Sequence, residues 1–177
     1  MRPFVPLLEE LLAAHAAALG ADFQGYRGHC YRVLNFCAAL APDAETALDR
    51  LAVATAFHDL GIWTHKTFDY LEPSVQDATA YLRRNGRESW TDEVCLMIRE
   101  HHRIRPGHTT SAPLVEPFRR ADWVDVSAGL VSFGLPRALI REAYSRWPSR
   151  GFHRRLVQLS WERFREHPLS PLPMLKL

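Results

Sequence analysis

The sequence predicts an all-α fold, and three observations carry that expectation. Apolar residues recur three and four positions apart in segment after segment. No run of strict alternation lies between Asn-Gly or Asp-Gly turns. Residues that stop or cap helices, Pro42, Asp43, Gly86 and Pro136, fall at the ends of the periodic segments.

Taken in order, the periodicity predicts helices over about Pro3 to Leu19, Tyr26 to Leu40, Ala44 to His58, Ser74 to Asn85, Thr91 to His102, Pro113 to Leu130, Pro136 to Trp147 and Phe152 to Glu166. The first, "LLEELLAAHAAAL", carries Glu9, Glu10 and His15, so it is too polar for a bilayer span and has no basic leader. In the second, His29, Val33 and Phe36 share a face, and Pro42 ends the helix. Asp43 can cap the third, whose body "ALDRLAVATAF" is apolar enough to be buried, and Gly61 is expected to permit the turn after it. Gly86 closes the fourth. The sixth places Asp122 one turn from Phe118 and Val126, and Pro136 suits the first turn of the seventh. A proline-rich tail follows over residues 168 to 177 and is expected to lie on the surface.

With 177 residues and 47% hydrophobic composition, the chain can bury one core, so a single domain over 1–177 is expected. Twenty-two basic against 20 acidic residues leave a net charge of +2, too small a bias to point to nucleic acid or an anionic membrane. A small-molecule partner is expected instead. Cys30, Cys37 and Cys95, an odd count without CxxC spacing, fit reduced thiols in a cytoplasmic protein.

Against this apolar background a few polar residues stand out. His58 and Asp59 end a buried helix, where adjacent side chains can splay toward one point. His29 and Asp122 each interrupt an inward apolar stripe, and a lone buried carboxylate is expensive. Two imidazoles and two carboxylates from three helices form a mixed nitrogen and oxygen set. Such a set suits a six-coordinate divalent ion with positions open to water.

The order His29, His58-Asp59, Asp122 resembles the HD-domain metal-dependent phosphohydrolases over most of residues 26 to 130. The surrounding strings carry the likeness: "HCYRV", "ATAFHDLGIW", "MIREHH" and "FRRADWVDVS". The resemblance implies an HD-domain helical bundle in which His29, His58, Asp59 and Asp122 hold a divalent metal: Mn, Fe, Co, Ni or Zn. Relatives with two metals add histidines between the doublet and the final Asp, and His101 and His102 look like that addition. Such relatives often begin the intervening helix with His-Pro. Here "EPSVQDATAYL" puts Glu72 at that position, as a second-site ligand or a carboxylate favoured by the helix dipole. One tightly held ion is therefore expected.

A phosphohydrolase acting on a nucleotide or other small phosphate ester follows as the leading expectation, with Asp59 or a nearby carboxylate as the catalytic proton acceptor. Arg32, one turn after His29, together with Lys66 and Arg103, is expected to meet phosphate, with Arg105 nearby. Trp63, Phe68 and Tyr70 either stack a base or simply pack. His65 and His108 are expected in loops as non-ligands. Two rivals remain: a di-iron oxygenase of the same superfamily, which requires the extra ligands, and a non-catalytic module that binds a nucleotide or metal.

Overall fold

The computed structural model describes residues 1–41, 44, 46–105, 112–170 and 172–175. Pro42, Asp43 and His108, singled out above, lie outside the described residues, as do positions 171, 176 and 177 of the tail. The described residues form helices α1 (Pro6–Ala14), α2 (Ala16–Leu19), α3 (Phe23–Leu40), α4 (Leu48–Phe57), α5 (Gly61–Thr64), α6 (Leu71–Arg84), α7 (Thr91–Glu100), α8 (Val115–Val126), α9 (Arg137–Arg146) and α10 (Phe152–Glu166). Two 3-10 turns, Gly20–Asp22 and Glu88–Trp90, join some of them, and no strand occurs among the described residues.

Several predicted boundaries shift for identifiable reasons. The first helix starts at Pro6, whose ring presets the helical φ, and breaks at His15, where the imidazole Nδ1 donates to the Leu11 carbonyl at 2.8 Å. The sixth predicted helix ends at Val126. Ser127, Ala128 and Gly129 then wrap back, with the Gly129 amide donating to the Val124 carbonyl at 2.8 Å. α6 begins three residues early and closes as expected. Gly86 adopts φ +64°, and the Arg87 amide donates to the Leu82 carbonyl at 2.9 Å.

Gly61 serves a different purpose from the one the sequence suggested. It lies at the start of α5 rather than in a positive-φ turn. A Cβ there would sit 2.7 Å from the Tyr70 carbonyl and 2.8 Å from Ser74 Oγ. The glycine therefore lets α5 press against the start of α6, and its amide donates to Ser74 Oγ at 3.0 Å. That contact fixes the turn carrying His58 and Asp59.

The centre of the fold is α3, which packs along α8 and also touches α4 and α9. α4 packs against α1, α6 and α7, and α7 closes onto α8. Tyr26, Leu34, Phe36, Leu51, Phe57 and Phe118 lie wholly or almost wholly buried where these helices meet. Each such side chain contributes about 1.5–3 kcal/mol by leaving water. α3, α4, α7 and α8 thus frame the site, and of the polar residues singled out above His29, Arg32, His58, Asp59, His101 and Asp122 are buried.

Candidate metal centre

Each residue of the centre is set by a helix or a helix end. His29 lies on the second turn of α3, and His58 is the C-cap of α4 with Asp59 next in the turn. His101 caps α7 and His102 follows it, while Asp122 and Asp125 occupy α8. All are buried except His102, whose side chain is 13% exposed.

The imidazole tautomers follow from what each Nδ1 meets. At the C-terminal ends of α4 and α7 carbonyls lack helical partners. His58 Nδ1 donates to the Thr55 carbonyl at 2.8 Å, and His101 Nδ1 donates to the Ile98 carbonyl at 2.7 Å. His29 Nδ1 donates to Asp125 Oδ2 at 2.6 Å. With Nδ1 committed in this way, each ring turns its Nε2 into the cluster, where His101 Nε2 lies 3.2 Å from Asp59 Oδ1.

His29 Nε2 and His58 Nε2 face each other at 2.8 Å. Asp59 Oδ2 lies 3.5 Å from both. From α8, Asp122 Oδ1 approaches them to 3.6 and 3.8 Å. Two atoms each ~2.1 Å from one ion are ~3.0 Å apart at a right angle and ~3.4 Å at a tetrahedral angle, so the spacing of His29, His58 and Asp59 suits one ligand shell, and Asp122 stands at its edge. Neither oxygen of Asp122 has a hydrogen-bond partner, although both are buried. A buried carboxylate without hydrogen-bond partners is costly unless a proton or a cation neutralises it. The residues present fit a divalent ion.

Electrostatics in the ion-free site point the same way. Burial opposes charge on His29, but Asp125 and Asp59 raise its pKa to about 9. Burial lowers His58 to about 3, with His29 and His101 adding to the fall against the pull of Asp59. One proton therefore occupies the gap between the two rings, held on the His29 side. Burial lifts Asp122 to about 7, despite His101 and His29 nearby. Asp59 stays well below the usual carboxylate range, because His58 and His101 outweigh its burial. A divalent ion would replace the shared proton and hold Asp122 ionised.

Behind His29 lies a second layer that sequence reasoning missed. Asp125 accepts from His29, from Arg32 Nε and Nη2, and from the Tyr144 hydroxyl. Arg32 Nη1 donates to the Trp147 carbonyl at 2.7 Å, and His153 Nε2 donates to the Asp125 carbonyl at 2.8 Å. Phe152 stacks on the His29 ring at 4.2 Å. The available signal was "DWVD", a second carboxylate one turn after Asp122 on the same inward face.

Five expectations about individual residues need correction or placement. Arg32 does not meet substrate, since it is fully buried and its donors are spent on Asp125 and Trp147. Glu72 is not grouped with the cluster, because both its oxygens take the Arg99 guanidinium at 2.9 and 3.0 Å on the surface of α6 and α7. The second grouping is instead Asp59, His101 and His102, sharing Asp59 with His29 and His58. Lys66 lines a cavity of about 480 Å³ with Trp63, Phe68, Arg155 and Arg163, to which no cluster residue contributes. Arg103 donates to Glu100 at 2.9 Å while its backbone carbonyl takes Arg119. His65 is paired with Asp77 at 3.1 Å, away from the ligand groups.

The structure thus groups His29, His58 and Asp59 as one candidate ligand set and Asp59, His101 and His102 as a second, with Asp122 beside the first, its Oδ1 3.6 and 3.8 Å from the two imidazoles. No curated protein and no solved structure matched the chain. A family model for the HD domain matches residues 26–129, more than half the chain and the whole stretch from His29 to Asp125. With that match spanning every residue of the buried cluster, the chain belongs to the HD domain family.

Proposed function

We propose that this protein hydrolyses a small phosphate ester, a nucleotide being the first class to try, with a divalent transition metal at the cluster. The observation that carries the reading is Asp122, buried with both oxygens unpartnered beside two imidazole lone pairs. A divalent ion held by His29, His58, Asp59 and Asp122 would supply Lewis acidity toward a phosphoryl oxygen and lower the pKa of water. The chain's own residues do the rest. Thr55, Ile98 and Asp125 fix the ring orientations, and the apolar packing of Tyr26, Phe118 and Phe152 keeps bulk water off the cluster.

For proton transfer, His102 is better suited than Asp59, to which the sequence assigned the role. Asp59 is buried and tied to the rings of His58 and His101, which hold it ionised. Burial and the neighbouring His101 keep His102 neutral, yet it is the one member of the cluster that solvent reaches. Tyr70 shares a hydrogen bond with His102 Nε2 at 2.7 Å, which offers a route for the proton. A cytoplasmic setting is part of the proposal and agrees with three free, buried cysteines.

One observation favours a second reading, an oxidative one: Asp59 is shared by two ligand groups, as a two-ion centre would require. A single experiment separates the readings. Protein purified without added metal is analysed for iron, manganese, cobalt, nickel and zinc, then assayed for phosphate release from nucleotides and sugar phosphates with and without oxygen. Release that continues anaerobically is expected. Two irons per chain with strictly oxygen-dependent turnover would replace hydrolysis by the oxidative reading, and nucleotide binding without turnover would leave a binding module.

A further inference from the structure

The chain-wide charge of +2, from which no membrane partner was expected, is the sum of two unlike parts. Residues 136–177 carry nine of the 22 basic residues and only three of the 20 acidic ones, a net +6, against −4 for residues 1–135. Such asymmetry marks an electrostatic footprint that the total conceals.

α10 gives that charge a shape. Phe152 is its one buried residue among the described residues, and Leu156 and Leu159 lean on the core. On the opposite side, Arg154, Val157, Trp161, Phe164 and Arg165 follow spacings of three, four, three and one, so they share one outward face. Val157 is 70% exposed, Trp161 60% and Phe164 44%. Trp161 and Phe164 stack at 5.7 Å, and with Leu172 they line a shallow apolar recess. Leu169, just beyond the helix, is fully exposed. Arg154 and Arg165, at the two ends of the apolar run, form no ion pair among the described residues.

We propose that this face of α10 docks on an anionic lipid surface, with Val157, Trp161 and Phe164 entering the interface and Arg154 and Arg165 meeting the headgroups. Exposed apolar side chains bracketed by arginines suit a bilayer, which takes shallow insertion without a matching partner surface. Nucleic acid has no use for a valine and phenylalanine at the centre of the contact. A second copy would crowd four unneutralised arginines around one apolar patch. The acidic remainder of the chain is repelled by the same surface, so docking also orients the protein. No helix of the described residues is long and apolar enough to cross a membrane, so the contact is peripheral.

The test is co-sedimentation of the full chain with vesicles of phosphatidylcholine alone, or with phosphatidylserine and phosphatidylcholine at about 3 to 7. Binding to the mixed vesicles should be at least about tenfold stronger than to phosphatidylcholine, and should fall when salt is raised from about 0.1 M to about 0.5 M. The Trp161→Ser/Phe164→Ser and Arg154→Glu/Arg165→Glu double variants should each lose it. Arg83→Glu/Arg84→Glu, which alters a basic pair on α6, should bind as the unaltered protein does. The α10 variants should keep their helical circular dichroism and metal content, because they leave Phe152 and His153 in place. Equal partition to both vesicle types, or full binding by the Trp161→Ser/Phe164→Ser variant, overturns the proposal. A stable dimer in sedimentation velocity that Trp161→Ser converts to a monomer would assign the face to a second copy instead.

Discussion

Asp122 and Asp125 stand one turn apart on α8, both fully buried, and differ in almost everything else. Asp125 accepts hydrogen bonds from His29, Arg32 and Tyr144, and these partners hold its pKa far down despite its burial. Asp122 accepts none, and burial lifts its pKa to about 7. The two sides of the His29 ring inherit this difference. The Nδ1 side is a finished network, while the Nε2 side is a cluster of ring nitrogens and carboxylate oxygens in which Asp122 has no hydrogen-bond partner. A satisfied buried carboxylate orders the structure around it, whereas an orphaned one is where a cation could be held.

The strongest way to break this contrast is to remove the satisfied member. Asp125→Ala leaves Arg32 charged, buried and unpaired, so it should destabilise the metal-free protein by about 3–5 kcal/mol. Urea unfolding of the metal-free variant measures this, and a loss below about 1 kcal/mol would contradict the structural role assigned to Asp125. Next in size is the metal's own effect. His58→Ala should abolish tightly bound metal, and with it the stabilisation of about 2.7 kcal/mol expected at a hundredfold excess over Kd. Metal analysis and thermal melts with and without added manganese or cobalt test both halves.

A smaller effect concerns pH. In the ion-free site the proton near His29 and the one on Asp122 titrate at about 9 and about 7, so metal must displace both at neutral pH and below. The sign follows: affinity should fall as pH drops, by about tenfold per unit for each proton displaced. Calorimetry in buffers of different ionisation enthalpy counts the protons, and pH-independent affinity between 6 and 8 would refute the assignment. Smallest is Tyr144→Phe, which removes one donor to Asp125 and should cost about 1 kcal/mol and a few-fold in metal affinity.

How much of this was legible in the sequence depends on distance along the chain. His29, His58, Asp59 and Asp122 each disturb a helical apolar pattern, so they could be picked out locally. Their meeting point could then be inferred from the order of the motifs. Arg32 was misread because an arginine on an inward face looks the same whether it waits for phosphate or pairs with a carboxylate. Its partner Asp125 is 93 residues away, and only the packing of α3 on α8 brings them together. Asp125 itself was overlooked although it lies one turn from Asp122. Periodicity assigns both residues to the same face but cannot say which meets donors and which meets lone pairs. Glu72 failed for a related reason, since its exposed pairing with Arg99 depends on how α6 lies against α7. Gly61 was noticed for its backbone freedom, but its value is the absence of a Cβ where α5 touches α6.

Asp122→Asn tests most directly whether the orphaned carboxylate exists for a cation, because it keeps the shape and removes the charge. Stripped of metal, the variant should melt at or above the temperature of the unaltered protein, since the amide can donate toward the imidazole lone pairs. Adding manganese or cobalt should then raise the melting temperature of the unaltered protein and leave the variant unmoved. A variant that responds to metal as the unaltered protein does, or one that collapses in the metal-free state, would show that Asp122 is a structural residue like Asp125.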